Sequence, residues 1–543
     1  MSRVLPAWSD VGRTGLWTAV ALSLALVAAH LICRPLLPID ETRYLAVAWD
    51  MHASGDYLVP HLNGETYSHK PPLLFWLINA IWAVTGVHEW SARLVAPLAG
   101  ILSLVLTSRI ARRLWPEFPV AAGIAPLVLA TSTLWLLFVS MTMFDTLLTV
   151  ATLSFLLGLL RASVGDRIGY VVMAVAVGGG LLAKGPVCLL HTLPAALLAP
   201  LWAAPRSGNQ WLRWYGAILL VVSGGTIFAL GWAIPAAAAG GPEYADAILW
   251  GQTAGRLERS FAHARPVWWY VPLLPFFALP WAFAWRAWRT IPMQTADRGV
   301  RLCLIWLLVP LVVFSLISGK QIHYFVPELP ALALLLAFVV SRKRSAAHLL
   351  NAPAIGTATA VWGGLLIIRP LLGFLPAKVS APELCSPWCG LPIALGGLWI
   401  LWGPPLPPAR RARQIASFAV LNSVLMLFGL RSGLLADFHI DPIARHVAEL
   451  QQAGVPVAHE QEYHGELHFA GRLTAPITEL RSRDELARWQ SQHPEGVVIR
   501  AAAARNDPGL ETAEVLHRYR RDMTIEWVGA CRMASAREQS DCF

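Results

Sequence analysis

Ionisable residues stand where the apolar runs of this chain end, framed by proline and glycine. Pro38-Ile39-Asp40-Glu41-Thr42-Arg43-Tyr44 follows the first such run, and Tyr67-Ser68-His69-Lys70-Pro71-Pro72 precedes an amphipathic, aromatic segment. Asp145 is a lone carboxylate in Met141-Thr142-Met143-Phe144-Asp145-Thr146, and Lys184 a lone ammonium in Ala183-Lys184-Gly185-Pro186. A fourth cluster sets Arg256, Glu258 and Arg259 beside Lys320, His323 and Tyr324. If the runs cross a bilayer, a charge near its centre costs about 2.5–3.5 kcal/mol on insertion scales and persists mainly where it has a task. Carboxylates gathered with several cations can hold an anion, stabilise charge that develops on it, and take or place a proton. Taken singly, each residue also reads as an interfacial charge snorkelling to water, and for Glu258, Arg259 and His323 that is the better reading. It does not account for the compact motifs around Asp40, Lys70, Asp145 and Lys184 together.

The elements that must position these groups follow from composition. Of 543 residues, 56% are hydrophobic and only 14% charged, and the mean hydropathy is +0.52. The bilayer must be the solvent for most of such a chain. Apolar runs recur from Leu16 to the neighbourhood of Arg431, and at about 20 residues per crossing they amount to about 13 transmembrane helices. The Leu16–Cys33 run leads directly into Arg34-Pro35 and lacks a small-residue cleavage site, so it reads as an uncleaved anchor. Long outer loops are expected at 38–90 and 236–266, and loops of such length usually carry function. The expected division is a membrane domain over 1–435, including both loops, and a polar domain over 436–543. In that tail, helix-like stretches at 442–453 and 483–492 alternate with strand-like pieces at 455–459 and 496–500, which predicts a small soluble α/β domain.

The net charge of +10 raises the question of nucleic acid, but the basic residues form no patch interleaved with stacking aromatics, so no nucleic-acid partner is expected. They recur instead in alternate loops: Arg109, Arg112 and Arg113; Arg161 and Arg167; Arg206 and Arg213; Arg286, Arg289, Arg298 and Arg301; Arg342, Lys343 and Arg344; Arg410, Arg411 and Arg413. With the N-terminus inside, all of these loops obey one orientation rule, and the C-terminal domain falls on the outer side. Cys385 with Cys389 and Cys531 with Cys542 then lie where disulfides are permitted, while Cys33, Cys188 and Cys303 read as inert small hydrophobes.

Read in order along the chain, the motifs resemble those of the GT-C membrane glycosyltransferases of the protein-mannosyltransferase superfamily, and most closely the lipid A aminoarabinose transferase branch. The resemblance rests on Asp40-Glu41-Thr42-Arg43-Tyr44, Gly55-Asp56-Tyr57-Leu58-Val59-Pro60 with Leu62-Asn63-Gly64, Lys70-Pro71-Pro72-Leu73, Phe144-Asp145 and Ala183-Lys184-Gly185-Pro186. It covers the whole membrane part. It implies a GT-C α-helical polytopic fold and a glycosyltransferase that moves a sugar from a polyprenyl (undecaprenyl) phosphate carrier to lipid A or another envelope glycan. It also implies the periplasmic face of a bacterial inner membrane. Asp40 is then the catalytic carboxylate and Asp145 a second acidic site residue, with Arg43, Lys70, Lys184 and Arg256 on the carrier phosphate. Glu41, Tyr44, Tyr67, His69, Lys320, His323 and Tyr324 are expected around the substrates. Where that branch usually carries Glu this chain has His69, and where it carries a His this chain has Thr253. Those positions resemble metal ligands in the branch, so a divalent cation stays open. The rival reading, a transporter or flippase of a lipid-linked sugar, predicts unusual spans in two matching halves, whereas here the unusual residues gather in outer loops. A membrane scaffold would have no need of Asp40.

Overall fold

The computed structural model describes residues 10–251, 264–342, 346–371, 385–501 and 523–527. The chain divides into two compact units, Met1–Cys33 with Ser68–Leu430, and Arg34–Tyr67 with Arg431–Phe543. The C-terminal part of the second unit starts at Arg431 rather than at 436, and a larger difference lies near the N-terminus. The first part of the long outer loop, Arg34–Tyr67, groups with the C-terminal segment rather than with the helices that follow it.

The first unit is helical, as its apolar runs require: backbone groups facing lipid must be satisfied within the segment. Among the described residues eight helices are long and apolar enough to cross a membrane, including Gly12–Cys33, Glu89–Leu114, Asp145–Ser163, Ile322–Ser341 and Pro408–Arg431. The other expected spans fall on shorter apolar helices, so length alone does not establish the count of about 13. Each shortening has a local cause. The helix Ala121–Thr131 gives way at Ser132, whose ψ of 133° is extended, and resumes as Thr133–Phe138. The stretch from Val267 to Trp288 is no continuous span: it breaks into Val267–Tyr270, Leu273–Phe277, Trp281–Phe283 and Trp285–Trp288. Pro272 and Pro280, which lack a backbone donor, stand directly before the second and third pieces.

Close helix packing in this unit relies on missing side chains. Ala352–Ile368 packs along Gly390–Trp402 through Gly356, Gly363, Gly390 and Gly397, and a Cβ at any of them would lie within 2.6 Å of backbone on the facing helix. Small residues let backbones approach in lipid, where apolar burial gives no advantage. The Asp145–Ser163 and Ile168–Lys184 helices meet in the same way at Gly158 and Gly169. Cys385 and Cys389 are free thiols with sulfurs 3.8 Å apart; Cys531 and Cys542 lie outside the described residues.

In the second unit the expected α/β pattern is present. Four strands, β3 (Val457–Glu460), β4 (Thr478–Leu480), β5 (Val497–Ala501) and β6 (Met523–Trp527), form one sheet in the order β4-β3-β5-β6. β3 runs parallel to β4 and β5, with Val457 opposite Val497, and β6 is antiparallel to β5. The helix Asp441–Gln452 buries Ile443, Ala444, Val447 and Leu450 in a core shared with Leu467, Ile477, Val497 and Ile499. The Arg34–Tyr67 segment contributes the helix Asp40–Ser54 and a hairpin of β1 (His61–Leu62) and β2 (Glu65–Thr66). Its turn, Asn63-Gly64, has positive φ at both residues, 55° and 83°, the geometry for which Asn-Gly is the preferred pair. Asn63 donates to the Ile477 carbonyl (2.9 Å) and accepts from its N–H (2.8 Å), and Trp49 Nε1 donates to the Leu473 carbonyl (2.8 Å). These long-range bonds explain why a stretch near the N-terminus belongs to the C-terminal unit.

Candidate active site

Within the membrane unit, two antiparallel neighbours bring their charged ends together. Asp145 opens the helix Asp145–Ser163 and Lys184 closes Ile168–Lys184. A carboxylate at a helix N-terminus and an ammonium at a C-terminus each complement the local dipole. Lys184 Nζ donates to Asp145 Oδ1 at 2.5 Å, with the side chains 10% and 2% exposed. Gly185, at φ 72° and ψ −159°, reverses the chain after Lys184, and Pro186 starts the helix Val187–Leu197. The ammonium also lies 5.5 Å from the Tyr324 ring centroid, within reach of a cation–π attraction. His323 and Lys70 are close enough for their charges to act on Asp145, so Lys70, Asp145, Lys184, His323 and Tyr324 form one constellation.

The same helices also wall an apolar groove of about 940 Å³, near the upper limit of the roughly 300–1,000 Å³ usual for small-molecule sites. It is walled by the helices Leu73–Thr85, Val95–Leu114, Asp145–Ser163 and Ile168–Lys184, through residues such as Leu73, Leu147, Val150, Val175 and Gly179. Leu73 follows Lys70 by three positions and Leu147 follows Asp145 by two, so the charged ends and the groove belong to the same elements.

The second unit carries its own polar cluster. Arg43 Nη2 donates to Asp40 Oδ1 at 2.5 Å, and the Tyr44 hydroxyl donates to the same oxygen at 3.0 Å. The Asp40 side chain is 41% exposed. Burial opposes the Arg43 charge, but Tyr67, Tyr44 and Asp40 outweigh it and hold the guanidinium above its ordinary value. Burial first, then the Asp40 charge, pushes the Tyr44 phenol well above its usual range, which keeps it a donor to Asp40. Glu41 points elsewhere. Arg34 grips both of its oxygens and the Leu37 N–H donates to one of them, so Glu41 acts as an internal brace of the loop.

Other expected residues have different surroundings. Lys320 is buried and donates to the carbonyls of Arg265 (2.9 Å) and Ile317 (2.5 Å), while His69 is exposed. Arg256, Glu258, Arg259 and Thr253 lie outside the described residues. Among the described residues no three His, Cys, Asp or Glu side chains converge as a metal site. Sequence reasoning missed Glu328 and His191, which meet at 2.5 Å with both side chains 1% exposed. The signal was available: each is an ionisable residue within an apolar stretch, which in a membrane marks a functional candidate by default.

Residues 69–232, which hold the Lys70, Asp145 and Lys184 motifs, match the family model described as dolichyl-phosphate-mannose-protein mannosyltransferase. Over 464 residues the chain is 30% identical to the undecaprenyl phosphate-alpha-4-amino-4-deoxy-L-arabinose arabinosyl transferase 1 of Pseudomonas fluorescens strain Pf-5, covering 80% of each chain. The chain belongs to this arabinosyl transferase family. Its matches to the enzyme of Edwardsiella ictaluri, 31% identical over 60% of both chains, and to a second Pseudomonas fluorescens enzyme, 32% identical, span 60% and 55% of those relatives' lengths. The fold is that of ArnT from Cupriavidus metallidurans. The apo crystal structure of that protein aligns with a TM-score of 0.74 over 93% of this chain and 96% of that one, at 21% identity. The structure bound to undecaprenyl phosphate aligns at 0.76, over 96% and 99%, also at 21% identity. The expected GT-C type helical fold with a small C-terminal α/β part is therefore the fold of this arabinosyl transferase family member.

Proposed function

We propose that this family member transfers a sugar from a polyprenyl phosphate carrier, undecaprenyl phosphate by analogy with its relatives, onto lipid A or another envelope glycan. The observation that carries the proposal is the Lys184–Asp145 pair, with Lys70 nearby, on helices that also wall an apolar groove. Cations and an apolar groove on the same helices suit a phosphate that is attached to a long hydrocarbon tail. The relatives' names, which specify an undecaprenyl phosphate-linked aminoarabinose, support that carrier and make 4-amino-4-deoxy-arabinose the sugar to test first.

In the reaction the acceptor oxygen attacks the anomeric carbon as the bond from that carbon to the phosphate oxygen breaks, and the electron pair leaves with the phosphate. Lys70 and Lys184, with Arg43 and Arg256 assigned the same task by resemblance, stabilise that growing charge more in the transition state than before it. A hydroxyl acceptor must lose its proton, which is the role given to Asp40; an already ionised phosphate acceptor needs no base, and Asp40 then orients it or a cationic amino group on the sugar. The alternating Arg and Lys loops support an inside N-terminus and a periplasmic site.

The test is mass spectrometry of lipid A and other envelope glycans from cells with and without the gene, complemented by wild type or Asp40→Asn. The expected result is an amino-pentose mass on lipid A that disappears with the gene and returns with wild type alone. An unchanged lipid A with another glycan altered moves the acceptor, and no change in any glycan overturns the proposal.

A further inference from the structure

Glu328 and His191 form a buried hydrogen-bonded pair that no step of the proposed reaction uses. His191 Nδ1 and Glu328 Oε1 are 2.5 Å apart, and the second carboxylate oxygen, Oε2, has no hydrogen-bond partner among the described residues. Stability gives no reason for such a pair. Replacing both partners of a buried polar pair with apolar groups of similar shape can be nearly neutral or stabilising, whereas removing one leaves the other unsatisfied and is costly.

The position of the pair is more informative. His191 is on the helix Val187–Leu197, which begins immediately after Lys184-Gly185-Pro186. Glu328 ends the Ile322–Glu328 segment, four residues beyond Tyr324. The pair therefore ties the element that carries Tyr324 to the helix that begins three residues after Lys184, whose ammonium lies 5.5 Å from the Tyr324 ring centroid. The Lys184 charge also acts on Glu328 directly, so the carboxylate is an electrostatic neighbour of the site as well as a mechanical tie. Residues whose rotamers are fixed by such outer contacts hold a binding group to the tolerance that function requires.

We propose that His191 and Glu328 are a positioning pair that fixes Lys184 against Tyr324 at the carrier phosphate. The inference rests on the reading of Lys184 as a phosphate-binding group, and the experiment separates the two. Undecaprenyl phosphate is titrated into the full-length chain in nanodiscs for wild type, Lys184→Met, the double variant His191→Leu with Glu328→Leu, and the triple combination. The double variant is expected to keep the wild-type melting profile and to bind at least 10-fold more weakly. The triple variant is expected to bind no more weakly than Lys184→Met alone, because the pair acts through Lys184. Unchanged affinity in the double variant overturns the inference, and so does a loss of equal size in the Lys184→Met background, which would mark general packing. Should the double variant fail to fold, Glu328→Gln, which keeps the shape and removes the charge, is judged by the same two criteria. If Lys184→Met alone binds like wild type, the phosphate-site reading fails independently of the pair.

Discussion

Removing Lys184 should damage the protein in two separable ways. The ammonium neutralises a carboxylate that is only 2% exposed. At hydrogen-bond separation and an effective dielectric of about 20, two unit charges attract by roughly 6 kcal/mol. Part of that attraction offsets the cost of burying both ions, and loss of one partner from a buried pair typically costs about 3–5 kcal/mol because the other is left uncompensated. Lys184→Met should therefore lower the thermal unfolding midpoint clearly, and Asp145→Leu added to it should return most of the loss, since the orphaned charge is gone. Binding of undecaprenyl phosphate should behave differently: weakened in the single variant, and not restored in the double. Unfolding followed by intrinsic fluorescence, alongside lipid titration in the same nanodiscs, reads both quantities. Stability and binding recovering together in the double variant would refute the reasoning, because the cation would then serve only to balance Asp145. A single variant as stable as wild type would refute the burial argument.

Gly179 lines the groove in the middle of a helix, and a Cβ there meets no atom within 4 Å. Gly179→Phe should leave stability unchanged or slightly raised, since glycine costs up to about 1 kcal/mol relative to alanine in a helix. The same change should reduce undecaprenyl phosphate affinity at least 10-fold in a lipid titration, and unchanged affinity would remove the groove from the tail's path. At Gly363 a Cβ would sit 2.4 Å from the Ala394 nitrogen. Gly363→Leu should therefore force the Ala352–Ile368 and Gly390–Trp402 helices apart and lower the melting midpoint, with overpacking worth about 1–3 kcal/mol or more. In the C-terminal unit, burial pulls His468 down from its ordinary 6.5 to about 4. The folded state thus resists a proton that the unfolded state accepts, and stability present above pH 6.5 is lost as pH falls toward 4, by about 3 kcal/mol. Limited proteolysis of residues 431–501 across that range should show progressive opening, and His468→Asn should flatten the dependence.

How much of this was legible beforehand depended on the range of the interactions involved. Apolar runs report their solvent directly, so the helices and the polar tail could be placed from composition. The alternation of the tail gave β3, β5, the helix Asp441–Gln452 before them and the helix Arg483–Gln492 between them because local periodicity carries that information. Asp145 and Lys184 could be singled out, yet their pairing across 39 positions is a consequence of helix packing at Gly158 and Gly169, which no local pattern states. The same holds for Arg34–Tyr67. Its loop-like sequence gave no sign that Asn63 bonds to Ile477 and Trp49 to Leu473, more than 400 positions away. Glu41 shows how a partner far from any motif bears on such a reading. This conspicuous carboxylate beside Asp40 invites a substrate-facing reading, and in the structure Arg34, seven residues earlier, pairs with it. Burial and partner together, rather than residue type, separate a brace from a binding group. By that criterion the unpaired Oε2 of Glu328 draws attention back to a residue that the motif reading passed over. A half-satisfied carboxylate in an apolar interior is costly, and among the charges that act on it is that of the lysine on which the proposed chemistry depends.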